Sequence, residues 1–282
     1  ARTIPLFLMA YGTTDTELSN FDTTIANEVF HEVTGITLEQ FRILRDDYNF
    51  FDEVVFNESV QEFLRKKVEL GNYFDESQKE DIFDYIPPQE TNQIFTPKKV
   101  VKMQIDLFEK ENPGIFSDPD QTFVDFYMKS GLYITEIITR LYKGLIEAIP
   151  DQESRLRHIL EKQVYGFAPS EIIYNIAKNF IFGFIESDES QNTFDTSNLV
   201  CLDTVPFATG EVGISFAEKC RELFGEKIGV VDMSLFKNVT GNPPYQKNNS
   251  NTKDDALYHH FYDLAKKHGV RYCLISPAKF LF

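Results

Sequence analysis

Apolar positions along the chain fall into two kinds of run. Val60, Phe63, Leu64 and Val68 recur at helical spacing and predict an amphipathic helix over Glu58–Leu70. Further on, short β-rich runs alternate with helical stretches of 10–15 residues. The runs Gln121–Tyr127, Gln163–Phe167, Asn198–Leu202, Phe236–Thr240 and Val270–Ser276 predict strands. Between them, Thr96–Glu109, Leu132–Leu145, Asp151–Lys162, Glu171–Gly183, Val212–Phe224 and Asp254–His268 predict helices. Thr96 is expected as the N-cap of the first of these, with Pro97 at the first helical position. This alternation is the mark of an α/β fold with a doubly wound, mostly parallel sheet. Ligands of such sheets lie at the carboxyl ends of the strands.

The Tyr85-Ile86-Pro87-Pro88-Gln89-Glu90 stretch marks a boundary, because two prolines cannot continue a helix. We therefore expect an acidic, mainly helical connecting region over 1–90 and a catalytic domain over 91–282. Composition agrees with a packed chain: 27 Phe and 13 Tyr in 282 residues exclude bulk disorder. The run Ile172–Ile185 is interrupted by Asn175, Lys178 and Asn179, so no membrane span is expected. ARTIPLFLMAYG lacks the features of a signal peptide. Cys201, Cys220 and Cys273 are too far apart for a disulfide framework or a zinc site, and a cytoplasmic setting follows. The sequons at Asn238 and Asn248 then carry no meaning.

A net charge of −16 argues against a nucleic-acid partner at first sight. Its distribution changes that. Residues 1–90 hold 19 acidic and 7 basic side chains, three quarters of the net charge, whereas six Lys or Arg face three Asp from Gly241 onward.

The sharpest chemical signal is Thr240-Gly241-Asn242-Pro243-Pro244-Tyr245-Gln246, directly after a strand. One reading is a Pro-Pro turn that ends the strand. The other is a site for a planar amino group: the Asn242 side-chain oxygen and a carbonyl held by the rigid prolines supply two acceptors, and Tyr245 a flat face. Two acceptors drawing on the hydrogens of adenine N6 favour the pyramidal geometry in which its lone pair attacks, without a strong base. A base buried in a duplex must be flipped out to reach such a loop.

Asn-Pro-Pro-Tyr after the fourth strand resembles the catalytic motif of S-adenosylmethionine-dependent, adenine-specific N6 DNA methyltransferases, above all those fused into large single-chain restriction–modification enzymes. The resemblance covers roughly residues 90 to 282 and implies catalytic roles for Asn242, Pro243, Pro244 and Tyr245. Phe95-Thr96-Pro97 looks like the element that helps bind the methionine part of the cofactor. Phe123 to Gly131 looks like the first strand and its turn; the resemblance implies that Asp125 takes the cofactor amino group, that Gly131 allows close backbone approach and that Ser130 is among the cofactor-binding residues. Asp203 is similar to the acid that contacts the cofactor adenine, and Ser276-Pro277 to a later Pro-containing loop. The chain departs from the family at Lys129, where Gly is usual, and at Ala168, where an acid grips the ribose; Glu171 is the nearest substitute. Glu171 also reads as an ordinary acid at a helix N-terminus, and Asp203 as a loop acid.

The resemblance implies double-stranded DNA with a flipped adenine as partner, together with the remaining regions of a parent restriction–modification protein. The sheet is expected to lack its C-terminal strands, and the chain to be a fragment that does not methylate a specific site unaided. Two other functions fit the same loop: a non-catalytic DNA-handling or scaffolding module that keeps the fold, and a protein-glutamine methyltransferase gripping a side-chain amide. No metal site is expected: His259 and His260 are adjacent and should face apart on a helix. Lys98, Lys99 and Lys102 read as solvated surface, and Phe180, Phe182 and Phe184 as core.

Overall fold

The computed structural model describes residues 2–71, 80–87, 95–183, 194–228, 234–246 and 256–277. Five strands form one all-parallel sheet: β1 Phe123–Asp125, β2 Val164–Ala168, β3 Leu199–Cys201, β4 Phe236–Gly241 and β5 Gly269–Leu274, in the order β3-β2-β1-β4-β5. Each lies within about two residues of its expected position, the usual uncertainty of an element boundary. The winding direction reverses between β1 and β4, and this switch point opens a crevice at their carboxyl ends.

Alternation along the strands sends side chains to two cores. Phe123, Val164 and Ala168 join one; Val124, Tyr165, Phe167, Phe236 and Val239 join the other. The first core is covered by α5 (Lys98–Glu111), α6 (Leu132–Gly144) and α8 (Glu171–Phe182), the second by the short α9 (Val205–Thr209), α10 (Phe216–Phe224) and α11 (Tyr258–His268). Burying such side chains contributes roughly 1.5–3 kcal/mol each, which is why strands of three to six residues suffice.

The front of the chain is more helical than its single expected helix: α1 Ile4–Tyr11, α2 Asn27–Thr34, α3 Leu38–Arg42 and α4 Glu53–Leu70. Its centre is aromatic, with Phe7 stacked on Phe30 at 5.3 Å and edge-on to Phe21. Leu6 through Ala10 of α1 are buried, and the helix rests on α8, where Asn179 donates to the carbonyls of Met9 and Ala10 and Asn175 to the Tyr11 hydroxyl. The first core therefore includes side chains from Leu6 of the front to Leu199 of β3. Residues 88–94, which hold part of the expected boundary, lie outside the described residues, as do Phe184, Asn248 and the first residues of the expected Asp254–His268 helix.

Four local expectations are corrected. The cap of α5 is Pro97, without a side-chain cap bond, because the Thr96 hydroxyl is engaged elsewhere. The helix α10 starts at a Ser215–Glu218 capping box, and α7 (Gln152–His158) loosens into a π-turn over Ile159–Gln163. His259 and His260 do not face apart: their ring centroids are 4.0 Å from each other. Among the described residues no group of His, Cys, Asp and Glu is placed to hold a metal ion, and no helix is long and apolar enough to cross a membrane.

Candidate active site at the switch point

The carboxyl end of β1 places Asp125 in the crevice, and the end of β4 brings Gly241 against it. A Cβ on Gly241 would sit 2.6 Å from Asp125 Oδ1, and its φ of +146° is one that side chains rarely adopt. Asp125 is only 3% exposed. Burial pushes its carboxyl up to about 7, opposed by the Tyr127 N–H, which it accepts at 3.0 Å, and by the charge of Lys129. Lys129 is 9% exposed; burial pulls its ammonium down to about 8, opposed by Asp125. Both groups line one small cavity with Thr96, Ser130, Gly131, Tyr133 and Asn242, and Lys129 Nζ lies 6.0 Å from the centroid of the Tyr127 ring. A larger hollow between α1, α4 and the far end of α8 is lined by Met9, Leu64, Lys67, Ile82 and Asn179 and contains no carboxylate.

The loop after β4 forms the second wall. Pro243 and Pro244 are buried and Tyr245 is half-buried; the Tyr245 carbonyl accepts the Leu257 N–H at 2.9 Å, and Gln246 pairs with Ala256, so the loop is tied to the start of α11. Asn242 Nδ2 donates to Thr96 Oγ1 at 3.0 Å. The Tyr245 hydroxyl lies beside the same amide: burial raises its pKa, and the hydrogen bond from Asn242 acts against that rise. Asn242 Oδ1 is buried without any hydrogen-bond partner. Leaving such an acceptor unsatisfied costs about 1–3 kcal/mol, so it marks a place where a donor is missing.

Of the residues expected at the site, Thr96, Asp125, Ser130, Gly131 and Asn242 share the cavity, and Pro243, Pro244 and Tyr245 continue from it. Ser130 Oγ also accepts the Leu132 N–H at the start of α6. Gly131 holds φ +82°, and a Cβ there would meet Ile181 and the Ala177 carbonyl of α8, so helix packing alone demands glycine. Three residues stand apart from the cavity lining. Phe95 packs on Phe83, 4.9 Å between centroids. Glu171 opens α8, where its charge acts on Tyr11 and Cys201. Asp203 accepts the Val205 N–H at 3.0 Å; after burial, its charge is the second cause of the raised Tyr127 pKa.

Sequence reasoning missed Gln104 and Tyr133. Tyr133 donates to Gln104 Oε1 at 2.6 Å, and Gln104 Nε2 donates to the Cys273 carbonyl at 2.6 Å and reaches the Gly241 carbonyl at 3.4 Å. The available signal was a glutamine on the buried stripe of α5, between Val101, Ile105 and Phe108. A polar side chain in such a place needs partners.

No known family profile matches the chain. A curated relative, an uncharacterised adenine-specific methylase of Mycoplasma pneumoniae, is 25% identical over 120 residues, which is 43% of this chain and 28% of the relative. The chain resembles an adenine-specific methylase. Among solved structures, the methylase-like chain matches the DrdV–DNA complex with a TM-score of 0.50 and 16% identity, over 93% of this chain and 26% of that one, a likeness of fold. The ATP-dependent Type ISP restriction–modification enzyme LlaBIII bound to DNA matches at TM-score 0.49 and 17% identity, over 94% and 18%. The chain thus spans about a quarter or less of each solved chain and little more of the curated relative.

Proposed function

We propose that this chain is the S-adenosylmethionine-dependent, adenine-N6 DNA methyltransferase part of a restriction–modification protein. The observation that carries the reading is the orphan Asn242 Oδ1, buried at the switch point beside Asp125 and Lys129. The likeness to an adenine-specific methylase supports it, as does the fold shared with DrdV. The division near residue 90 into a helical connecting region and a catalytic domain belongs to the same proposal.

The donor set fits the cofactor. A buried carboxyl and a buried ammonium in one cavity complement the zwitterionic head of an amino acid: Asp125 takes the ammonium and Lys129 the carboxylate. When bound, the cofactor supplies an electrophilic methyl group on a sulfonium. Asn242 Oδ1 and the Pro243 carbonyl accept the two N6 hydrogens of an adenine flipped out of double-stranded DNA, and Tyr245 bears on the base. Drawing on those hydrogens localises the N6 lone pair, and the surplus proton is lost afterwards to water. Glu171 and Asp203 lie on the same carboxyl side of the sheet and are assigned to the ribose and the adenine of the cofactor.

Titration calorimetry with S-adenosylhomocysteine tests the cofactor, and labelled methyl incorporation into DNA, set against incorporation into protein substrates, tests the acceptor. Binding with transfer to DNA is expected. No binding at millimolar ligand overturns the cofactor assignment, and transfer to protein alone overturns the adenine.

A further inference from the structure

The polar residues behind Asn242 form a chain whose every hydrogen can be placed, and that chain decides which end of the Asn242 amide faces the crevice. At its root stands the Cys273 backbone carbonyl on β5, which can only accept. Gln104 must therefore point its NH2 at it, at 2.6 Å, which leaves Oε1 at the other end of the amide. Oε1 can only accept, so the Tyr133 hydroxyl, 2.6 Å away, spends its one proton there. Tyr133 shares the cavity wall with Thr96, whose hydroxyl acts on it as a donor, lowering a pKa that burial raises; with its own proton spent, the Tyr133 oxygen can only accept from Thr96. Thr96 has then spent its proton in turn, and its oxygen can only accept from Asn242 Nδ2, at 3.0 Å. What remains is Oδ1, turned away from all of these partners and unsatisfied. Gln104, Thr96 and Tyr133 are each at least nine-tenths buried, so bulk water does not compete for the links.

We propose that Gln104 and Tyr133 are positioning residues that, through Thr96, set the Asn242 amide with its oxygen toward the substrate amino group. This rests on the function proposed above. Asparagine is symmetrical in shape but not in chemistry: flipped by 180°, the same side chain would present two donors to an amino group and repel it. A residue on α5 that does not line the cavity thereby controls the polarity of the site. Thr96 gains a second role: it orients Asn242 at the same wall where the resemblance places the cofactor.

Cutting the chain at its root reverses it. In Gln104→Leu, Tyr133 loses its acceptor and is free to donate to Thr96, which then donates to Asn242 and draws Oδ1 inward. Tyr133→Phe removes the middle link. Gln104→Glu restores the original direction, because a carboxyl kept protonated by burial donates to the Cys273 carbonyl and accepts from Tyr133.

The orientation is read directly by hydrogen exchange of the Asn242 carboxamide in the full chain labelled with 15N-asparagine, its signal assigned by loss in Asn242→Asp. The wild-type NH2 is expected to be protected by Thr96, Gln104→Leu and Tyr133→Phe to lose that protection, and Gln104→Glu to keep it. In parallel, kcat for methyl transfer to DNA is expected to fall about a hundredfold in Gln104→Leu, with S-adenosylhomocysteine affinity unchanged and with rescue in Gln104→Glu. A general packing defect would not be rescued by a carboxyl. Wild-type protection and kcat in both Gln104→Leu and Tyr133→Phe overturn the proposal. Wild-type protein that transfers no methyl to DNA, yet shows the expected exchange pattern, overturns the adenine reading and leaves the relay standing.

Discussion

Two aspartates in this molecule are equally hidden from solvent, Asp125 the deeper of the two, and behave in opposite ways. Asp22, in the helical front, and Asp125, at the end of β1, are each 3% exposed. Burial alone would raise both. At Asp22 the hydrogen bonds from Arg42 and Arg45, at 2.5 and 2.6 Å, win, and the carboxyl lies below the usual range. At Asp125 one backbone N–H and the charge of Lys129 do not suffice, and the carboxyl rises to about 7. The front meets the Asp22 carboxylate with two guanidinium groups; the crevice leaves a carboxyl, an ammonium and an amide oxygen short of partners. The first arrangement stabilises a fold, and the second is what a binding site costs before its ligand arrives.

Substitutions break this contrast in a graded way. Asp125→Asn is expected to weaken S-adenosylhomocysteine binding by about 2–5 kcal/mol, measured by calorimetry, while the melting temperature of the free protein holds or rises. Asp22→Asn should do the reverse, costing about 1.5–3 kcal/mol of stability in urea denaturation with ligand affinity intact. Gly241→Ala, which must accept both φ +146° and a clash with Asp125 Oδ1, should cost about 1–3 kcal/mol and weaken ligand binding as the carboxylate shifts. The two acids also carry opposite pH signatures. Asp125 has a raised folded pKa, so its contribution to stability is full below about pH 4 and is lost as pH climbs through about 7. Asp22 is depressed, and its contribution is present above the unfolded value and lost as pH falls below it. Difference curves of each Asn variant against wild type should slope in opposite senses, and ligand affinity should drop by about tenfold per pH unit below Asp125's folded pKa. At the bottom of the scale, Asp46→Asn removes an exposed partner of Arg45 and should leave the melting temperature unchanged.

Much of this was legible in the chain. The strands could be read because short apolar runs bounded by turn residues have few other uses in a chain of alternating helices, and their ends then pointed to Asp125 and Asn242. At the site, local chemistry misled where a distant partner outbid it. Thr96 has the residue type and the proline of a helix cap, yet its hydroxyl serves Asn242, 146 positions away. Gln104 bonds to Cys273 across 169 positions, and nothing in the periodicity of α5 encodes that. Lys129, read as a departure from a glycine turn, acquires meaning only when its burial beside Asp125 is seen. The helix α1 is a bare apolar octet whose role becomes visible against Asn175 and Asn179 of α8. Patterns fix elements; the hydrogen-bond relay depends on their docking.

The pairing of β1 with β4 has a kinetic consequence. The Lys237 N–H bonds to Thr122 Oγ1 across 115 residues, and the three-residue β1 has no local strand partner. Contacts of such span form slowly, because a long loop must close before any of them stabilises the chain. Asp125 and Asn242 meet only through that closure, so the crevice should be among the last parts of the molecule to form and the first to be lost on partial unfolding.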